Sequence, residues 1–242
     1  MIVGAGIAGR TAAVALDRVG ISVQVVERAT ALTQAGTALS LWPNALAALD
    51  RIGLAEVVAG IGIEEPSGVV RNPSGGQIMK VDQSRLHRDL GTSTVIVRRG
   101  DLQQVLLDAA SHLPIRMKSP AARVGTEGDV GVVELSGGEV LSAPVVLGCD
   151  GISGVARSVV ENPPLTYRGR TSWRAVLEDS SGLAPDACLT VGRGMQFIAG
   201  PLRGGATYWA ADVGLPEGAN ALLANRKEFL LGAFAGWHSP IT

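Results

Sequence analysis

Gly4-Ala5-Gly6-Ile7-Ala8-Gly9, set directly behind Ile2-Val3, limits what this chain can fold into more than any other stretch. Apolar Ala8, Ala12, Ala15, Leu16 and Val19 follow at spacings that predict one helical face. Gly20 is expected to close that helix, because glycine enters the left-handed region that other residues avoid. Ile21, Val23, Val25 and Val26 then predict a strand of the kind that helices cover. In such a unit Gly4 permits the tight turn, Gly6 lets a pyrophosphate approach the backbone, and Gly9 lets the helix pack on the strand. The helix start offers free N–H groups and the positive end of its dipole. Glu27, eighteen residues beyond Gly9, stands at a strand tip where a carboxylate can accept both hydroxyl protons of an adenosine ribose. The expected ligand is a dinucleotide with a free 2′-hydroxyl, FAD or NAD rather than NADP. The spacing does not choose between those two.

The 242 residues suffice for one large or two modest domains, and a 46% hydrophobic content supplies a core. A net charge of −1 argues against a nucleic-acid surface or a polybasic membrane face. No apolar run approaches the roughly 18 residues of a membrane span. The chain enters a strand at once, so no signal peptide is expected. Cys149 and Cys188 are too few for a disulfide framework or a metal site and fit a reducing cytoplasm. His87, His112 and His238 share no ligand spacing, so no metal is expected.

Further along, Pro43 is placed to begin a helix whose face is Leu46, Leu49 and Ile52, ending at Gly53. Val69–Asn72 and Gln77–Val81 alternate around Pro73-Ser74-Gly75-Gly76, a hairpin pattern. Val95–Arg99 predicts a strand, and Asp101 a cap for a helix with Leu102, Val105, Leu106 and Ala109 on its apolar face. From Ile115 to Ala143 short alternating strands and Gly-rich turns predict a meander. Val145–Leu147, ending at Cys149-Asp150-Gly151, predicts a return to the parallel sheet. Beyond Asn162-Pro163-Pro164, antiparallel strands are expected at Tyr167–Leu177, Cys188–Val191, Met195–Ala199 and Ala206–Val213, then a helix over Asn220–Trp237. Trp42, Phe197, Tyr208 and Trp209 are expected in the core. The fold class is α/β: a Rossmann-like dinucleotide domain with a parallel sheet, helices and a β-meander, plus a smaller antiparallel-sheet domain. The expected boundaries are 1–67 with 88–161 for the first and 68–87 with 162–242 for the second, the Val69–Val81 hairpin joining the second sheet.

Taken together these stretches resemble the FAD-dependent aromatic-ring hydroxylases related to p-hydroxybenzoate hydroxylase, in the branch of salicylate hydroxylase and zeaxanthin epoxidase. The matching segments are Gly4 to Gly9 with Glu27-Arg28; Gly36 to Asn44; Arg99-Gly100-Asp101-Leu102; Asp150-Gly151 with Arg157; and Tyr167 to Val176 followed by Pro201-Leu202-Arg203. Arg10 stands where the family usually has leucine, Cys149 where alanine is common, and Gly154 where a serine is usual, with Ser153 one place earlier. The family's later segment, with a Gly-Asp motif and a Pro- and Gly-rich loop, has no match before Thr242. The expectation is a piece of a longer protein or a truncated descendant.

The resemblance implies FAD as cofactor, with Gly4, Gly6, Ile7, Ala8, Gly9, Glu27, Arg28, Arg99, Leu102, Asp150, Gly151 and Arg157 as its contacts. Arg99 would serve the ribityl and phosphate side, and Asp150 both FAD and NAD(P)H, a role compatible with capping the helix of Arg157. Arg174 is a candidate for orienting the substrate, alongside a structural role against Trp173. The implied reaction is reduction of FAD by NAD(P)H, addition of O2 at the flavin C4a, and oxygen transfer to an aromatic ring or an alkene. No catalytic side chain is otherwise identified, because the cofactor carries the hard step. The partners expected are a small aromatic or alkene substrate and O2, with no nucleic acid. Two other readings stand beside it: a non-catalytic nucleotide- or metabolite-binding relative, and a flavin-dependent reductase or halogenase on the same fold. The Trp-x-Trp-x-Ile-Pro pattern expected of tryptophan-type halogenases is absent.

Overall fold

In the computed structural model, residues 1–31, 37–65, 67–161, 164–180 and 182–242 are described, so Gly36, Asn162 and Pro163 lie outside the described residues. The chain divides into two compact units. One comprises Met1–Ala35, Ala48–Ala55 and Gly100–Pro164, and the other Gly36–Ala47, Glu56–Arg99 and Leu165–Thr242.

The first unit is built on a parallel sheet ordered Leu147–Gly148, Ile2–Val3, Val25–Val26, Ile115–Arg116. Its strands are two residues long, and Ile2, Val25 and Val26 are wholly buried, as expected where both faces are covered. Ile115–Arg116 pairs in parallel with Val25–Val26, so the meander begins only at Ala121. It runs through Ala121–Glu127, Val130–Leu135 and Val140–Ala143. Val133 and Leu135 seal that layer against Val3 and Val26.

The first helix spans Ile7–Arg18, and Gly20 follows in the left-handed conformation with its N–H on the Asp17 carbonyl. Its inward face is Gly9, Arg10, Ala13 and Val14, whereas Ala8 is exposed and Val19 is 70% exposed. The expected face was therefore rotated, because a charged Arg10 reads as solvent-facing and is instead buried. The helix at Arg99–Ala109 starts two residues before Asp101, which lies in its first turn and does not cap it.

The second unit holds a six-stranded sheet in the order Arg170–Leu177, Ala206–Gly214, Met195–Leu202, Ala187–Gly192, Gly68–Arg71, Gln77–Val81. All neighbours are antiparallel except Ala187–Gly192 against Gly68–Arg71, which run in parallel. The hairpin thus joins this sheet, with Gly75 at φ +89° in its turn. Ala211, Val213, Phe197 and Trp209 pack beneath Phe234 and Trp237. A separate three-stranded sheet pairs Val95–Arg98 with Ala38–Leu41 and Ile63–Glu64. Helix Pro43–Arg51 buries Leu46, with Leu49 and Ile52 continuing the apolar row up to Gly53. Trp42 is 59% exposed and so lies outside the core. The expected closing helix is broken: a 3-10 turn at Ala219–Leu222 precedes Arg226–Ala233, because Asn225 accepts the N–H groups of Lys227 and Glu228 and starts a new helix.

Candidate cofactor site

The glycine turn is closed on its inner side and open on its outer side. Gly4 has φ +100°, and a Cβ there would lie 2.4 Å from the Cys149 carbonyl oxygen. A Cβ on Gly9 would lie 1.9 Å from the Gly4 carbonyl oxygen, so only glycine lets the helix sit this close. A Cβ on Gly6 would meet nothing within 4 Å. Gly6 is also the residue that opens the helix, and no side chain caps that end. The first amides of Ile7, Ala8 and Gly9 are left to the outside by the geometry of any helix start. The turn therefore offers donors and a bare backbone toward one side.

Glu27 is anchored to that turn. The Ala5 N–H donates to Oε2 at 2.6 Å and the Ala29 N–H to Oε1 at 2.8 Å. Each carboxylate oxygen has a second lone pair for a hydroxyl donor. Its neighbour Arg28 is exposed.

On the other side of the turn, Asp150 Oδ2 accepts the Ala156 N–H at 3.0 Å and so secures the start of the short helix Arg157–Val160. A Cβ on Gly154 would lie 2.1 Å from the Asp150 carboxyl carbon. The carboxylate lies flat on a residue with no side chain, which accounts for glycine at a place where serine is usual. Gly151 is exposed with φ +83°, and Arg157 Nη1 reaches the Ile152 carbonyl at 3.4 Å. Ala8, Asp150, Gly151 and Arg157 line one open cavity of about 730 Å³, bordered by residues of the Val124–Gly131 hairpin. Cys149 lines it too; burial first, and then the charge of Asp150, hold its thiol pKa above the ordinary value.

Leu102, Arg99 and Arg174 are not among the residues that line this cavity. Leu102 is 2% exposed and packs in the core of the first unit. Arg99 begins its helix with its N–H on the Thr37 carbonyl at 2.7 Å. Arg98 pairs through both terminal nitrogens with Glu178, each at 2.7 Å. Arg174 donates from Nε to Ser172 Oγ at 3.0 Å.

Two groupings were missed. Arg10, 1% exposed, donates from Nε to the Ala5 carbonyl and from Nη1 to the Gln103 carbonyl, which fastens the glycine turn to the Arg99–Ala109 helix. In the second unit, Gln196 faces Asp212 across the sheet and donates from Nε2 to Oδ2 at 2.6 Å. Tyr208 lies on the same face, four residues before Asp212. Burial is the main cause that raises the Tyr208 pKa; Arg174 opposes it and Asp212 adds to it. The period-2 spacing of Tyr208, Ala210 and Asp212 was the available signal.

An anionic diphosphate fits the open side of the turn, and ribose hydroxyls fit the unused lone pairs of Glu27, so the residues present suit FAD. The FAD binding domain family matches residues 1–189. Aurachin C monooxygenase/isomerase of Stigmatella aurantiaca is 36% identical over 245 positions, covering all of this chain and 63% of that protein. FAD-dependent urate hydroxylase of Mycolicibacterium vanbaalenii is 29% identical over 98% of this chain and 62% of its own length. The crystal structure of Klebsiella pneumoniae HpxO complexed with FAD and uric acid superposes with a TM-score of 0.86 at 27% identity, over 99% of this chain and 62% of that one. The chain therefore spans less than two thirds of the length of these relatives. A glycine turn open toward phosphate, a carboxylate pinned beside it and a match over more than three quarters of the sequence lead to one conclusion: this chain belongs to the family of FAD-dependent aromatic-ring hydroxylases.

Proposed function

We propose that this chain supplies the FAD-binding and substrate-facing parts of a monooxygenase that uses NAD(P)H and O2 to hydroxylate an aromatic ring or epoxidise an alkene. The observation that carries the reading is the bare, uncapped turn at Gly6 with Glu27 fixed to it by the Ala5 N–H at 2.6 Å. FAD, when bound, supplies the redox and oxygen-transfer chemistry itself. Gly4, Gly6, Ile7, Ala8 and Gly9 hold the pyrophosphate through backbone donors, and Glu27 accepts the ribose hydroxyl protons with Arg28 beside it. Asp150, Gly151 and Arg157 bound the neighbouring cavity, and Arg99 serves the phosphate and ribityl side of the cofactor. The FAD-binding part corresponds to 1–67 with 88–161, and the substrate part to 68–87 with 162–242.

On the substrate side, Tyr208, Asp212 and Gln196 offer a hydroxyl, a carboxylate and a carboxamide on one sheet face, with Arg174 supplying a positive charge. Such a set orients a small, polar aromatic molecule through its ring substituents, and urate in the relatives is of that kind. No helix among the described residues is long and apolar enough to cross a membrane, and the free cysteines suit a reducing cytoplasm. The test is NAD(P)H oxidation by the flavin-loaded protein, followed with O2 uptake over a panel of hydroxylated and nitrogen-containing aromatics. Stimulation of both by a panel member, with an oxygenated product by mass spectrometry, is the expected result. NAD(P)H oxidation that no aromatic or alkene stimulates would overturn the reading.

A further inference from the structure

Ala5 lies wholly buried between Gly4, at φ +100°, and Gly6, and side chains from elsewhere hold both of its backbone polar groups. Its N–H donates to Glu27 Oε2 at 2.6 Å, and its carbonyl accepts from Arg10 Nε at 2.7 Å. Arg10 is in turn fixed from the far side, because its Nη1 donates to the Gln103 carbonyl at 2.5 Å in the helix Arg99–Ala109. Both bonds are made by a side chain 1% exposed, out of reach of water, where a carbonyl left without a donor is costly.

The Ala5 carbonyl and the Gly6 N–H belong to one trans peptide group. Such a group is planar, and its C=O and N–H point to opposite sides. Drawing the carbonyl toward Arg10 therefore turns the Gly6 N–H the other way, out of the turn. Gly6 has no side chain to resist rotation of this plane, so its orientation has to be held from outside the residue. We propose that Arg10 is a positioning residue for the cofactor: it holds the Ala5–Gly6 peptide in the orientation that presents the Gly6 N–H to the pyrophosphate of FAD. This role rests on the assignment of the turn to FAD made above, and Arg10 acts through the peptide rather than by contact. Without the anchor the plane samples orientations that bind and orientations that do not. The apparent affinity then falls with the competent fraction, by about tenfold for one buried hydrogen bond.

The test is titration of the parent, Arg10→Leu, Arg10→Met and Arg10→Lys with FAD, followed by flavin fluorescence at a temperature where circular dichroism shows them folded. The Gly6 amide proton is followed by NMR in the same titrations. Leucine and methionine fill the space without a donor, and two such variants guard against one failing to fold; lysine restores a donor. Arg10→Leu and Arg10→Met are expected to bind FAD about tenfold more weakly than the parent, and Arg10→Lys within about threefold of it. FAD should move the Gly6 amide proton downfield in the parent, and less in the two variants without a donor. If Arg10 serves stability alone, those variants unfold earlier but, while folded, match the parent in FAD affinity and in the Gly6 shift. That result would overturn the proposal, as would Arg10→Lys binding no more tightly than Arg10→Leu. A parent chain that binds no FAD would instead remove the assignment of the turn, and this role with it.

Discussion

Arg10 Nη1 lies 2.5 Å from the backbone carbonyl oxygen of Gln103, and its Nε lies 2.7 Å from that of Ala5, so one buried side chain bridges the glycine turn and a helix far along the sequence. Leucine at this place would fill the volume but abandon two buried acceptors. Arg10→Leu is expected to destabilise the chain by about 2–3 kcal/mol, read as a lower urea midpoint at unchanged slope. An unchanged midpoint would show that the bridge carries no stability.

Gly6 and Gly9 differ in what they do, and alanine separates them. At Gly9 the new Cβ strikes the Gly4 carbonyl, so Gly9→Ala should cost about 2 kcal/mol or more of stability. At Gly6 the Cβ enters open space at φ −68°, a conformation alanine adopts freely. Gly6→Ala should unfold within about 0.5 kcal/mol of the parent yet bind FAD at least tenfold more weakly, since the Cβ occupies the approach to the backbone. Chemical denaturation and flavin fluorescence titration check both. Normal FAD affinity in Gly6→Ala would contradict the placement of the phosphates.

Asp150 caps Ala156 only because Gly154 leaves room for its carboxylate. Gly154→Ala should push that carboxylate off the Ala156 N–H and cost about 1 kcal/mol through the lost cap, measured as a lower thermal midpoint. Asp150→Asn should show a smaller loss, since the amide oxygen still accepts.

Cys149 reports on the same corner by its reactivity. Burial and the Asp150 charge both disfavour its thiolate, so at pH 8 the thiolate fraction is below that of an ordinary cysteine. Iodoacetamide should therefore label Cys149 more slowly than a free thiol, with the rate climbing at higher pH than usual. Asp150→Asn removes the second cause and should raise the Cys149 rate at pH 8, followed by mass spectrometry of the labelled peptide. An unchanged rate would show that the Asp150 charge does not reach the thiol.

What was legible in the sequence was legible for steric reasons. Gly4, Gly9, Gly20 and Gly75 occupy positions where a Cβ collides or φ is positive, and those constraints can be read from glycine alone. Leu46, Leu49 and Ile52 were readable because an apolar period needs no partner to be recognised. Arg10 was not, because its burial depends on carbonyls at Ala5 and Gln103 that only the fold brings together. The helix Gln83–Leu90 passed unnoticed since its residues are mostly polar, although Asp82 accepts the Arg85 N–H and Gly91 ends it at φ +76°, the two signals that mark such a segment. The pairing of Gln196 with Asp212 depends on strand register, which neither strand encodes by itself.

The turn at Gly4–Gly9 and Glu27 are assigned to FAD, and the visible spectrum of the purified chain after incubation with FAD and gel filtration, beside Glu27→Ala, tests that assignment. Flavin absorbance is expected to stay with the parent protein and to be largely lost from the variant, both eluting at the same volume. A parent chain that emerges colourless, or a variant that retains as much flavin as the parent, would contradict it.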